Sequence, residues 1–211
     1  MIFENPFVAG FSALPMITGG KSRAVNAENP RGEKGRGGMA SSGLGPSRKG
    51  SPCLGEIKPG ETATLAEIDG PGVIQHIWIT VTDKTSDADC FVLRDLVLRM
   101  YWDGEENPSV ESPLGDFFCC GFGRGCVVNS MPIVVNPARG FNSYFPMPFG
   151  KKAKITVENQ HKNSVPAFFY QIDYCLYEAL PENTGYFHAQ WRRQRLTEKQ
   201  KDYVVLDGVQ G

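Results

Sequence analysis

The chain has 211 residues and a net charge of −1, with 41% hydrophobic and 21% charged residues, which is the composition of a folded protein with a sizeable core. A nearly neutral chain has no global field to attract nucleic acid or an anionic membrane surface. No apolar run approaches the roughly 18 residues of a membrane helix, and residues 1–6 lack a basic segment ahead of the apolar ones. We therefore predict a cytoplasmic protein with no nucleic-acid or membrane partner.

The first distinctive segment, 19–50, is rich in glycine and in basic residues. It carries nine glycines and seven lysines or arginines against two acids, Glu28 and Glu33. Such a stretch buries too little apolar surface to offset its ordering entropy, so we predict an irregular surface segment that reaches a cleft or a neighbour. Residues 35–40 match a dinucleotide-binding pattern formally, but no strand precedes them and no apolar helix follows. We predict no cofactor.

From residue 61 onward, apolar and polar residues alternate with a period of two, which is typical of β-strands. The predicted strands are 61–68, 73–81, 91–102, 153–158 and 165–177, with shorter ones in 109–118 and 128–135. In the last long strand, Gln171, Asp173 and Cys175 fall opposite an aromatic and aliphatic face. Seven or eight strands with long loops predict an all-β jelly-roll sandwich over residues 1–188.

The C-terminal part is predicted to leave this domain. Residues 189–202 are interpreted as a helical linker, in which Trp191 and Leu196 lie among solvated basic residues. Residues 203–211 begin another strand-like pattern that needs a partner to pair with. We interpret them as the start of a second jelly roll that this sequence does not contain.

The six cysteines suggest neither a disulfide framework nor a metal site. Cys119, Cys120 and Cys126 lack the paired Cys-x2-Cys spacing of structural zinc sites, and the sequence has only three histidines. We interpret these cysteines as buried or loop thiols and predict no metal.

Two segments, 113–118 and 140–149, combine aromatic rings, prolines and glycines with a few polar groups. Rings offer flat apolar faces to a sugar, while amide, hydroxyl and carboxylate groups bind its hydroxyls. The alternative is that both segments are turns whose rings pack beneath them.

On the carbohydrate interpretation, we predict that Asp116, Asn142 and Tyr144 share a pocket with phenylalanines beside it. The predicted substrate-binding residues are Glu33, Asp116, Phe117, Phe118, Asn142, Ser143, Tyr144 and Phe145. His76 and Trp78 share one strand face, but a hydrogen-bonded histidine on the inner face is the favoured interpretation of His76, so both stay outside this set.

Five separated motifs, in the same order along the chain, resemble family 172 of the glycoside hydrolases, formerly catalogued as a domain of unknown function. They lie at 27–35, 70–78, 113–118, 140–149 and 206–211. The resemblance implies two tandem jelly rolls, assembly into trimers or hexamers, and retaining action on α-fructofuranosides or α-arabinofuranosides.

The resemblance also implies a catalytic pair of glutamates in the second jelly roll, within Gly-Glu-Gly-Glu and Gly-Thr-Glu-Asp-Tyr segments. Neither segment occurs in this sequence. A retaining glycosidase needs two carboxylates about 5 to 5.5 Å apart. We therefore expect no catalytic residue in this chain and place the glutamates beyond Gly211.

Three hypotheses remain open from the sequence. The chain is the substrate-shaping half of a furanosidase, with the catalytic half elsewhere; or a carbohydrate-binding jelly roll without catalysis; or a structural, capsid-like jelly roll whose role is oligomerisation. The expected partners are a furanose-containing glycan, further copies of the chain as a homotrimer or homohexamer, and a separate C-terminal half.

Overall fold

The computed structural model describes residues 19–39, 53–84 and 91–209 in full, and the backbone of 41–42 and 45–46. The strands are β1 (Lys21–Asn26), β2 (Ser41–Ser42), β3 (Gly45–Pro46), β4 (Thr62–Asp69), β5 (Gly72–Val81), β6 (Leu96–Trp102), β7 (Val110–Pro113), β8 (Val128–Asn129), β9 (Ile133–Val135), β10 (Phe141–Ser143), β11 (Met147–Phe149), β12 (Lys152–Asn159), β13 (Phe168–Leu176) and β14 (Ala189–Gln190). The two short helices are α1 (Val92–Asp95) and α2 (Leu114–Phe117).

Two sheets form the body of the fold. The larger sheet has the order β1-β13-β5-β10-β9-β8, with β11 also paired to β5, and the smaller sheet has the order β14-β7-β6-β12-β4. Strands β2 and β3 form a separate hairpin. Of the pairings between described strands, only that of β14 with β7 is parallel. The predicted all-β jelly-roll sandwich is confirmed.

The core lies between the two sheets because alternate residues of their central strands face each other. Strand β5 contributes Ile77 and Ile79, and strand β12 contributes Ile155 and Val157, all of them buried. Burying one such side chain stabilises the fold by about 1.5 to 3 kcal/mol. The largest fully buried side chains are Trp102, Phe118, Phe141, Phe149 and Phe168. A core of this size fixes which face of each strand points outward.

The predicted strand at 91–102 is wrong at its beginning, where α1 replaces it. Val92 and Leu93 are neighbours in sequence, yet both are fully buried. A strand sends neighbouring side chains to opposite faces, whereas one helical turn lets both face the core. The predicted strand at 109–118 ends in the same way, because Leu114 and Gly115 in α2 are both buried.

The prediction of an irregular segment at 19–50 is wrong for β1, which pairs with β13 along its whole length from Lys21 to Asn26. Val25 is fully buried and pairs with Ile172. The edge of β13 supplies unpaired backbone groups, and this segment satisfies them despite its basic composition. Part of the 19–50 segment lies outside the described residues, as do residues 1–18 of the predicted domain.

The predicted helix at 189–202 is also wrong. Ala189 and Gln190 form β14, and the backbone N–H groups of Ala189 and Trp191 donate to the carbonyls of Ser109 and Glu111. Pairing with the open edge of β7 satisfies the backbone there, while the basic run that follows offers little apolar surface to hold a helix against the domain. Residues 203–209 form no strand in the described part of the chain and are exposed; Gln210 and Gly211 lie outside it.

Candidate ligand-binding site

Polar and aromatic side chains gather on the outer face of the larger sheet, around His76. On β5, His76 and Trp78 alternate with the buried Ile77 and Ile79 and therefore point outward. The register pairs His76 with Asp173, and Trp78 with both Gln171 and Asn142. We define the His76 cluster as His76, Trp78, Asn142, Tyr144, Gln171 and Asp173.

An irregularity in β5 shapes this cluster. Asp173 pairs with His76 but Tyr174 pairs with Ile74, so Gln75 has no partner on β13. On the other side, β10 ends opposite Ile77 and β11 resumes opposite Ile74. The three residues 144–146 thus bulge away from the strand, which is a common way of re-aiming a side chain beside a functional site.

The bulge places the ring of Tyr144 against the imidazole of His76. The two ring centroids lie 4.7 Å apart and the rings are nearly parallel, at 13°. Tyr144 nevertheless keeps 48% of its surface exposed. An aromatic face stabilises a cation that lies against it, so this stacking favours a protonated His76.

Both nitrogens of His76 face an acceptor. Nδ1 lies 2.9 Å from Oδ2 of Asp173, and Nε2 lies 3.1 Å from Oδ1 of Asn142. The amide of Asn142 cannot be reversed without loss, because its Nδ2 donates to the carbonyls of Val134 and Gly140. An imidazole between two acceptors donates from both nitrogens only when it is protonated.

The pKa of His76 is raised above its ordinary value, chiefly by the hydrogen bond to Asp173. Partial burial opposes this shift, while Asn142 and the charge of Asp173 add to it. Because both N–H groups are already used inside the cluster, His76 is arranged to orient its neighbours rather than to exchange protons with a ligand. The groups left to meet a ligand are those of Trp78, Tyr144 and Gln171.

Asp173 links the histidine to Gln171. Its second oxygen, Oδ1, accepts a hydrogen bond of 2.9 Å from Nε2 of Gln171. The amide is thereby oriented, and its Oε1 is directed away from the carboxylate. The cluster offers two rings and one oriented amide over a carboxylate whose charge His76 balances, and this arrangement can bind a neutral, hydroxyl-rich molecule.

The structure brings together Asn142 and Tyr144 of the predicted site residues but places Asp116 elsewhere. The carboxylate of Asp116 contacts Arg94 at 3.1 Å and accepts a hydrogen bond of 3.0 Å from the indole of Trp191. Burial raises the pKa of Asp116, and the charge of Arg94 opposes that shift. Asp116 follows Gly115 in α2. The lack of a side chain at Gly115 lets α2 pack closely against α1, since an added Cβ would lie only 3.0 Å from Cβ of Leu93.

Two predicted site residues, Phe118 and Ser143, prove to be core residues with no exposed surface. Ser143 pairs with Ile77 and shares its inward face, one residue after the outward Asn142. Phe118 packs against Phe141, with 5.4 Å between ring centroids. The correction follows from strand alternation and from α2 turning its end into the core.

The remaining predicted residues lie apart from the cluster's hydrogen bonds. Phe117 and Phe145 both pack against the ring of Phe187, at 6.4 and 5.0 Å between centroids. Glu33 is exposed and lies 3.7 Å from Arg36 within its own turn. These contacts support the alternative interpretation, in which the rings pack beneath turns.

The prediction that His76 lies on the inner face is wrong, although its hydrogen bonding is confirmed. The available indication was the alternation itself, since His76 and Trp78 flank Ile77, and Gln171 and Asp173 flank Ile172. Two strands with that polar alternation share an outward face if they are neighbours. What the sequence did not show was that β5 and β13 are neighbours.

Among the described residues, no group of three or more histidine, cysteine, aspartate or glutamate side chains is placed to hold a metal ion. The thiols of Cys120 and Cys126 lie 3.5 Å apart. Burial raises the pKa of Cys120 to about 11, which keeps this thiol protonated and a poor ligand. No helix in the described part of the chain has the length and apolar character needed to cross a membrane.

Jelly-roll sandwiches include lectin domains and many other binding modules, and an outward polar and aromatic surface fits that class. The family model described as GH172 domain-like matches residues 53–171. The chain belongs to this family and carries a domain of a glycoside hydrolase family. The matched range contains the His76 cluster except for Asp173, two residues beyond it. No curated protein matches the chain.

Proposed function

We propose that this chain provides a carbohydrate-binding surface of a retaining, furanosidase-type glycoside hydrolase, with the His76 cluster as the surface that meets a furanose-containing glycan. The observation that carries the proposal is that Trp78, Tyr144 and Gln171 lie on the same outward face as an internally balanced His76–Asp173 pair. Membership of a glycoside hydrolase family supports it.

The physical argument rests on what the cluster leaves available. Indole and phenol rings present apolar faces to the C–H side of a sugar, and an amide can both donate to and accept from its hydroxyls. Because His76 balances Asp173, covering the pair with a ligand costs less than covering an isolated charge. The surface therefore favours a neutral ligand.

Catalysis is assigned elsewhere in this proposal. Retaining hydrolysis needs two carboxylates about 5 to 5.5 Å apart, one as nucleophile and one as acid and base. The two glutamate segments that the family resemblance implies are missing from this sequence. The chain's own residues bind and orient the glycan, and the glutamates come from a second jelly roll.

Binding is tested by titrating the protein with methyl α-arabinofuranoside and methyl α-fructofuranoside. Replacing Gln171 with alanine should weaken binding about three- to tenfold, the value of one hydrogen bond. Gln160→Ala is the matched control, because Gln160 lies beyond the end of β12 and bonds to Glu158 on the smaller sheet. Equal affinity of both variants, or no binding by the parent protein, contradicts the proposal.

Hydrolysis provides a second test. Aryl α-arabinofuranosides and α-fructofuranosides should not be turned over by this chain alone, and addition of a separately produced C-terminal half should restore hydrolysis. Turnover by highly purified chain that is abolished by changing Asp116 or Glu33 would move the active site into this half.

A second candidate, assembly into homotrimers or homohexamers, is supported by exposed apolar side chains. Phe122, between α2 and β8, is 93% exposed, and Met131, between β8 and β9, is 94% exposed. Residues 203–206 add four exposed apolar side chains in succession. Contiguous exposed apolar surface marks interaction sites.

A further inference from the structure

A second polar and aromatic cavity lies at the edge of the smaller sheet, where β14 pairs with β7. We call it the Trp191 pocket. It has a volume of about 480 Å³ and is lined by Asn107, Pro108, Glu111, Gln190, Trp191 and Arg192. This volume falls in the range of small-molecule sites, roughly 300 to 1,000 Å³.

The ring of Trp191 is held in place from two sides. Its indole N–H donates to Oδ1 of Asp116 at 3.0 Å, and the guanidinium of Arg94 lies 5.2 Å from the ring centroid. Arg94 in turn contacts the other oxygen of Asp116. An aromatic ring fixed in this way gives up little further freedom when a ligand stacks on it.

The backbone on either side of the ring is fixed as well. Gln190 pairs with Glu111 in the parallel register of β14 and β7, and the N–H of Trp191 donates to the carbonyl of Glu111. Further upstream, the indole of Trp102 in the core donates to the carbonyl of Phe187. The pocket is therefore built on strands and anchored to the core.

The carboxylate of Glu111 on β7 is held in position by Arg99, its partner on the neighbouring strand β6. Nε of Arg99 donates to Oε2 of Glu111 at 2.5 Å, and its Nη1 donates to Oε2 of Glu158 at 2.6 Å. The Glu111 side chain is still 52% exposed. It can accept a hydroxyl hydrogen bond while its charge stays balanced by Arg99.

We propose that the Trp191 pocket is a second carbohydrate-binding site, separate from the His76 cluster, which takes one neutral sugar ring. The indole of Trp191 packs against the apolar face of the sugar ring, and Glu111 accepts a hydrogen bond from one sugar hydroxyl. The amides of Gln190 and Asn107 form hydrogen bonds with two further hydroxyls.

The lining favours a sugar over other small molecules. A purely apolar ligand would cover the amides of Gln190 and Asn107 without offering them hydrogen bonds, and each unpaired buried polar group costs about 1 to 3 kcal/mol. The lining carries one carboxylate, on Glu111, and one guanidinium, on Arg192, so a charged ligand of either sign would meet a group of its own charge. A neutral polyol ring satisfies the indole and the polar groups together.

The three tryptophans of the chain allow this proposal and the proposed function to be tested in one titration. Trp78 reports on the His76 cluster, Trp191 on the Trp191 pocket and Trp102 on the core, each through its indole N–H resonance in a ¹⁵N-labelled sample. The probes are methyl α-arabinofuranoside, methyl α-fructofuranoside and methyl β-glucopyranoside.

At least one probe should shift the Trp191 resonance in a saturable way while the Trp102 resonance stays in place. Gln190→Ala should weaken the affinity read at Trp191 about three- to tenfold, and Gln171→Ala, the matched change in the other cluster, should not. Its backbone pairing keeps Gln190→Ala folded, which an unchanged Trp102 resonance verifies.

The Trp191 pocket is rejected if no probe shifts the Trp191 resonance, or if Gln190→Ala binds as the parent protein does. Shifts at Trp78 alone would uphold the proposed function and reject this site. Shifts at Trp191 alone would uphold the Trp191 pocket and reject the proposed function of the His76 cluster. The two proposals can therefore fail independently.

Discussion

At the scale of single residues, His76 is the group whose chemical state is most firmly set by its surroundings. Asp173 and the oriented amide of Asn142 occupy its two nitrogens, and the ring of Tyr144 lies along its face. All three contacts favour the imidazolium form. The raised pKa of His76 couples the order of the cluster to pH.

We predict that Asp173→Asn lowers the pKa of His76, because the largest stabilising contact of the imidazolium loses its charge. The pKa is measured by NMR titration of the imidazole protons. Asp83→Asn is the control, since it removes an equal charge from an ion pair with Arg139 elsewhere. A His76 pKa that moves equally in both variants would refute the assigned role of Asp173.

The same pair predicts how stability depends on pH. Since the folded-state pKa of His76 is raised from 6.5, the stabilisation that it provides is complete below pH 6.5 and is lost as the pH rises through the higher, folded-state pKa. The difference in unfolding free energy between the parent protein and Asp173→Asn should therefore shrink with rising pH. Urea unfolding at a series of pH values measures it, and a difference that grows with pH would contradict the prediction.

At the scale of elements, β5 organises the larger sheet and the candidate site. It pairs with β13 on one side and with β10 and β11 on the other, and Gln75 falls out of register on both sides. At its start, Gly72 lies under Phe149. An added Cβ there would come within 2.6 Å of that ring and 2.9 Å of the Cys175 carbonyl oxygen.

We therefore predict that Gly72→Ala destabilises the protein by about 1 to 3 kcal/mol, the usual cost of overpacking. The backbone carbonyl of Cys175 cannot rotate away as a side-chain tip would. Gly37→Ala is the control, because a Cβ there meets nothing within 4 Å. The midpoint of urea unfolding distinguishes them, and equal midpoints would show that β11 moves aside at little cost.

At the scale of the whole molecule, the exposed apolar residues at 203–206 are not covered by the described part of the chain. They are Tyr203, Val204, Val205 and Leu206, exposed by 41 to 74%. Single exposed apolar residues are ordinary, but four in succession form a patch that association would cover. A symmetric assembly closes such a contact on itself.

We predict self-association at micromolar concentration, seen by light scattering as a species larger than the 23.2 kDa chain. Val205→Lys with Leu206→Lys should shift the population toward the monomer. Leu196→Lys is the control, because that exposed leucine lies between Arg195 and Thr197. A parent protein that stays monomeric would contradict the proposed assembly into homotrimers or homohexamers.

The sequence by itself determined the fold class and the family. Period-two patterns predicted β4, β5 and β12 to within one residue at each end, and β13 except that it begins at Phe168 rather than at residue 165, because a half-buried strand must alternate. Ordered motifs identified the family over much of the chain. The sequence also predicted that Asn142 and Tyr144 lie together, since a ring and an amide beside glycine and proline are unusual in a plain core strand, and both contact His76.

Only the tertiary structure decided which strands are neighbours and which faces point outward. Whether Asp173 meets His76 depends on the pairing of residues 97 positions apart, which no local pattern encodes. Contacts between distant parts of the chain also bury Ser143 and Phe118. Pairing with β7 makes 189–190 a strand, because an open sheet edge satisfies backbone groups more effectively than local helix propensity does. The sequence determines which functional groups the chain carries, whereas long-range strand pairing and packing decide which of those groups lie next to one another.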